Sequence, residues 1–138
     1  MTNSIKISVV PIELVNQFLP LVQEHVEAAL VYTDLSFDQA RVFISNGSWH
    51  LLIATDEEAK TMNGAYTLTI SNNPNDRVAT IVTAGGAGLA SQGCFDQVCE
   101  IAKSFGATKI QALARESAAR LYQRVGLVDK AILMEKKL

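Results

Sequence analysis

Three glycines within four residues, Gly85, Gly86 and Gly88, follow a short β-branched run from Val78 to Val82. They precede a segment in which Phe95, Val98, Cys99, Ala102 and Phe105 recur at helical spacing. A strand, a glycine-rich turn and an amphipathic helix in that order leave backbone N–H groups bare at the helix start, with no side chains crowding them. Such a cradle suits a phosphate or pyrophosphate. The same residues also fit a plain strand-to-helix turn in which glycine supplies only a positive φ. Gly106 is placed to end the helix.

The other residues able to do chemistry are few. The chain has two histidines and two cysteines, and no ligand spacing joins them, so no metal site is expected. Cys94 and Cys99 lie five positions apart on the predicted helix and point in different directions, which supports neither a disulfide nor a metal pair. His50, directly after Trp49 at a strand start, could face a substrate cleft, and a lone histidine there equally fits a packing residue.

The elements that must position these residues form one domain, 1–138. Its 49% hydrophobic and 19% charged residues exclude disorder, and its apolar runs are strand-sized, too short to cross a bilayer. A net charge of −2, with no Lys/Arg cluster beyond Lys136-Lys137, argues against a nucleic-acid surface. The opening MTNSIKISVV lacks the pattern of a secretory signal, so a soluble, cytoplasmic protein is expected.

Ile5, Ile7 and Val9 alternate with Lys6 and Ser8 as a half-buried strand that ends at Pro11. Apolar residues from Ile12 to Leu30 follow helical spacing, with Pro20 dividing them into two pieces. Ser36 and Gln39 have the spacing of a capping box, opening a second helix that buries Phe37, Ala40, Val42 or Phe43, and Ile44. WHLLIATD, AKTMNGAYTLTI and RVATIVT then form a three-stranded meander around the solvated turn Asp56-Glu57-Glu58. KIQALA (109–114) is a strand parallel to Val78–Val82, because a helix connects them. A short helix over 116–125, closed by Gly126, and a last strand in LVDKAILMEKKL complete the chain.

This order resembles the GNAT acyltransferase superfamily over nearly the whole chain. TAGGAG (Thr83 to Gly88) stands in the place of the family's [Gln/Arg]-x-x-Gly-x-[Gly/Ala] pyrophosphate loop. RESAARLYQRVGL (Arg115 to Leu127) is similar to its Asn-x-x-Ala-x-x-Leu-Tyr-x-x-x-Gly-Phe segment. The resemblance implies an α/β (α+β) mixed sheet of about six strands with about four helices, in the order β-α-α-β-β-β-α-β-α-β. More narrowly, GAYTLTI, TAGGAG, CFDQVCEIAKSFGATKIQALAR and LMEKKL resemble compact GNAT-like proteins encoded among tailed-phage morphogenesis genes.

The family chemistry implies acetyl-CoA or another acyl-CoA as co-substrate, transferring its acyl group to an amine. The acyl-CoA would lie between strands 78–83 and 109–114, with its thioester near Val82 and Thr83 and its pyrophosphate on the N–H groups of Gly85, Gly86, Ala87, Gly88 and Leu89. Tyr122 would protonate the departing thiolate. His25, Glu24 and Glu27 occupy the helical region whose equivalent lines the acceptor site. Thr83 stands where the loop usually has Gln or Arg, and Arg115 where Asn is usual. The stretch from Gly88 to Ala102 is a few residues longer than the family pattern. The 12 residues after Gly126 suffice for one strand where the family has two, so an open edge is expected, ready for a second copy or a virion protein. These departures make a phage structural or accessory protein, keeping the fold without the chemistry, the rival reading.

Overall fold

The computed structural model describes residues 4–31, 33–89, 91–114 and 116–138. Its centre is a five-stranded sheet in the order β1-β2-β3-β4-β5. β1 (Ile5–Val9), β2 (His50–Asp56), β3 (Thr61–Asn72) and β4 (Arg77–Gly86) pair antiparallel in turn, and β5 (Lys109–Ala112) lies parallel to β4. A 3-10 turn (Ile12–Leu14), α1 (Val15–Leu30) and α2 (Phe37–Ser45) follow β1. The crossover helix α3 (Gln92–Ser104) joins β4 to β5, and α4 (Glu116–Arg124) follows β5. The α+β class is as expected from the sequence, and so is the order of elements as far as α4.

Two apolar clusters cover the two faces of the sheet. On one, Val15, Leu19, Val22, Val26 and Leu30 of α1 and Ala40 and Ile44 of α2 pack against Leu51, Ile53 and Ala65. On the other, Cys94, Phe95 and Val98 of α3 pack against Ile7, Leu52, Tyr66, Leu68 and Ile81. The capping box at Ser36 forms: its hydroxyl accepts the Gln39 N–H at 3.2 Å and its N–H donates to Gln39 Oε1 at 2.9 Å. Phe43 stacks on Trp49 with ring centroids 5.2 Å apart, while Val42 faces solvent. On the outer edge of β1, Gln97 Oε1 accepts the Ile7 N–H at 2.8 Å, and its Nε2 donates to the Ile5 carbonyl at 3.0 Å.

Three local expectations differ from the structure. α1 runs unbroken through Pro20, which sits on its solvent side. One lost hydrogen bond is outweighed there by the apolar stripe the helix buries. β4 continues past Thr83 to Gly86, so half of the glycine-rich stretch is strand, paired to Gly64 and Ala65. The segment 127–138, expected as a last strand, carries no strand, and Ile132, Leu133 and Met134 are 87%, 71% and 85% exposed. No helix among the described residues is long and apolar enough to cross a membrane.

The C-terminal end of α3 carries a titratable contact. His50 stacks on Phe105 with centroids 4.3 Å apart. Burial, and secondarily the Arg77 charge, hold its imidazole below the ordinary pKa of 6.5. The unfolded chain therefore binds the extra proton first, and stability is lost as pH falls through 6.5 toward the lowered value. The expected result is a thermal midpoint that drops between about pH 7 and pH 5 in the wild type, with a smaller drop in His50→Gln. Equal drops in the two proteins would assign the loss to other groups.

Candidate active site

The opening in the sheet begins where β4 loses one of its partners. The β4–β5 ladder ends at Ile81↔Ala112, whereas the β3–β4 ladder continues to Gly64↔Gly86. At this step the β3 register slips: Leu68 faces Ile81 and Thr67 faces Thr83, leaving Val82 as an unpaired bulge residue. Beyond the bulge, one edge of β4 is paired with β3 and the other is without a strand among the described residues.

Side chains around the bulge divide between the two faces. Val82 packs with the α1 cluster. The Thr83 hydroxyl is buried and lies 2.7 Å from the Thr67 hydroxyl, and the Thr83 N–H donates to Thr67 Oγ1 at 3.1 Å. Thr83 thus turns its side chain and its N–H into the protein. Its departure from Gln or Arg has a packing reason: the position points into the protein.

The glycines are explained by contacts. A Cβ on Gly85 would overlap the His25 carbonyl of α1. Gly86 has φ +130°, and a Cβ there would overlap the Asn63 carbonyl of β3. The turn itself starts at Ala87, which is exposed with Gly88, and Leu89 is buried. Tyr66, itself buried, donates its hydroxyl to the Leu89 carbonyl at 2.6 Å and anchors the turn from below. Ser91 caps α3, its hydroxyl accepting the Cys94 N–H at 3.2 Å. An anion at this turn would therefore meet backbone donors and no lysine or arginine side chain of the loop.

Beside the unpaired edge lies a pocket of about 160 Å³ lined by Ala84, Gly86, Leu89, Phe95, Tyr122 and Val125 among others. Tyr122 is set there by the end of α4, where the Leu127 N–H returns to the Tyr122 carbonyl at 3.1 Å and the Gly126 N–H to Gln123 at 3.2 Å. Its ring meets Phe95 edge-on at 6.4 Å. Burial pushes the Tyr122 phenol above its ordinary pKa, so it is protonated throughout the neutral range. The structure thus brings Tyr122 together with Ala84, Gly86 and Leu89 around one pocket. Arg115 lies outside the described residues.

The remaining candidates fall elsewhere. His50 sits against the C-cap of α3, about 20 Å along the helix from the turn at its N-terminus, and has no part in this site. His25 lies over Gly85 through its backbone, with Nε2 3.7 Å from Glu24 Oε1. Glu27 is exposed and accepts from Gln23 at 2.7 Å. Among the described residues no group of three His, Cys, Asp or Glu is placed to hold a metal ion.

No protein-family model matches the sequence, and no curated protein sequence matches it either. Solved structures do match. An aminoglycoside acetyltransferase from an uncultured soil metagenomic sample, in complex with sisomicin, superposes with a TM-score of 0.71 at 12% identity, over 99% of this chain and 97% of that one. The fold is the GNAT fold. A putative acetyl transferase from Pyrococcus furiosus shares it with a TM-score of 0.67 and 20% identity, over 97% and 99% of the two chains. So does a predicted acetyltransferase from Clostridium acetobutylicum, solved with acetyl-CoA, with a TM-score of 0.65 and 11% identity over 96% of each chain.

Within this GNAT fold, sequence reasoning missed Thr67, Tyr66 and Ser91. Each carried a signal. GAYTLTI alternates, so Tyr66 and Thr67 point to opposite faces, and Ser91 precedes the helix as an N-cap does. The glycine contacts make a sharp prediction. Gly85→Ala should lower the stability of the protein by more than about 2 kcal/mol in urea unfolding, because α1 must move off β4. A change within about 0.5 kcal/mol would show that α1 does not rest on this carbonyl contact.

Proposed function

We propose that this protein is an acyl-CoA-dependent N-acyltransferase, with acetyl-CoA the simplest donor and an amine the acceptor. One observation carries the reading: the β4–β5 ladder stops at Ile81↔Ala112, and Val82 bulges out of the β3 register at the next residue, beside a pocket that holds a protonated tyrosine. The opened edge offers backbone groups to the pantetheine amides, and the turn at Ala87 to Leu89, with the N-terminus of α3, offers N–H donors to the pyrophosphate. The Val82 peptide meets the thioester carbonyl and polarises it.

The substrate amine then attacks the thioester carbon, forming the C–N bond and a tetrahedral oxyanion. Collapse breaks the C–S bond, the thiolate takes the Tyr122 proton, the nitrogen releases its proton to solvent, and solvent restores the phenol. The raised phenol is a weak acid. The apolar lining that raises the phenol raises the leaving thiol as well, so the two stay near in acidity and the proton can pass between them. The products are the N-acyl amine and CoA, with no metal required.

The first experiment is a calorimetric titration with acetyl-CoA and with CoA. Micromolar binding of both is expected. Ala87→Asp places a carboxylate on the exposed turn without disturbing a packed position, so it should weaken both ligands at least about tenfold at unchanged thermal midpoint. Gly86 is unsuited to this purpose, because its φ and its contact with Asn63 make any substitution a folding defect. With an accepted amine, Tyr122→Phe should lower kcat by about 10²–10⁴ while acetyl-CoA affinity holds. Unaltered turnover would remove Tyr122 from the reaction.

A second reading, a phage-encoded virion or accessory protein that keeps the fold as a packing module, is favoured by one feature. The apolar residues of 128–138 stand in solvent, where a protein partner or a second copy would cover them. Absence of binding heat at millimolar acetyl-CoA and CoA, with the protein recovered in assembled particles, is the outcome that reading expects.

A further inference from the structure

Among the described residues, Thr67 and Thr83 are the only buried serines or threonines, at 0% and 3% exposure. They face each other at the step where the β3–β4 register slips. A bulge is specified only if something resists the one-residue slide that would restore the ladder and turn each side chain to the other face. Here the resistance is visible. The Thr83 N–H donates to a side chain, Thr67 Oγ1, at 3.1 Å, and the two hydroxyls are 2.7 Å apart, so each satisfies the other. A slide by one residue would carry Thr83 to the α3 face, break both contacts and leave two buried hydroxyls unpaired, each a costly loss. The pair therefore selects the register in which Val82 is left out.

We propose that Thr67 is a positioning residue of this site: its hydroxyl locks the β4 bulge and so fixes the Val82 peptide against which a thioester carbonyl is held. The lock is a statement about the fold, and its effect on the acyl group rests on the acyltransferase reading above. Thr67 touches no substrate. It acts through Thr83 and the register.

Two readouts test the two halves. The first is backbone amide exchange, followed by NMR on the protein alone, for the wild type, Thr67→Val and Thr67→Ser. The Thr83 amide should lose protection at least about tenfold in Thr67→Val, keep it in Thr67→Ser, and leave the amides of Val78 and Ala79 unchanged in both. Undiminished Thr83 protection in Thr67→Val would overturn the lock. The second readout compares the affinity for acetyl-CoA with that for S-ethyl-CoA, a thioether without the carbonyl. The wild type and Thr67→Ser should prefer acetyl-CoA by about 3- to 10-fold, the worth of one hydrogen bond. In Thr67→Val the preference should vanish while S-ethyl-CoA binds as before. Lost protection with the preference intact would overturn the link to the acyl group. If the wild type binds neither ligand, the acyltransferase reading and the functional half fall together, and the exchange data alone decide the lock. Should Thr67→Val fail to fold, Thr67→Cys keeps the volume, offers only a weak acceptor, and carries the same two readouts.

Discussion

The carbonyl of His25 lies directly on the Cα of Gly85, and this backbone contact sets the distance between α1 and the end of β4. Gly64 and Gly86 make a similar approach across the β3–β4 ladder, where a Cβ on either would meet the other strand's backbone. Side chains are excluded from this corner because main chain fills it. The consequence is a strand end held flat against one helix and one neighbouring strand, with its other edge and its pocket-facing side open among the described residues. The glycine-rich stretch is therefore first a packing device. The exposed turn begins two residues later, at Ala87.

The bulge reorganises the core as well as the opening. Ile81 and Ala84, three residues apart, both face α3 and α4, while Val82, Thr83 and Gly85 face α1. Strict alternation would have put Ile81 and Ala84 on opposite sides. The strand can bury apolar residues on both faces up to Ile81 and then present small ones, Ala84 and Gly86, to the pocket. Tyr66 and Thr67, adjacent on β3, serve the two sides separately: one anchors the turn through Leu89, the other the register through Thr83.

Much of this was legible in the sequence, for physical reasons that differ by element. The meander and the parallel β5 follow from period-two alternation and from the helix between β4 and β5, both strong constraints. The capping box at Ser36 and the end of α4 at Gly126 are short-range chemistry and were found where expected. The passage of α1 through Pro20 was not readable, because the local penalty of one proline is overruled by a long-range packing stripe. The bulge escaped for a similar reason. Nothing in VATIVTAGG marks Val82 as unpaired, since the slip is decided by Thr67, 15 positions earlier. The sequence alone reads the glycines as a cradle, and the contact of Gly85 with α1 becomes visible only once the helix is placed.

The amide of Gln97 gives the two margins of the sheet different fates. By taking the Ile7 N–H and the Ile5 carbonyl together, one side chain of α3 stands where an incoming strand would pair, so β1 is a poor template. β5 has no such guard among the described residues, and exposed Leu113 follows it directly. Growth of a filament by strand addition needs two open edges per molecule, and among the described residues the β5 edge is the one left without a guard. Strand addition at β5 would then pair like edges of two copies and end at two, where two open edges would continue into a filament.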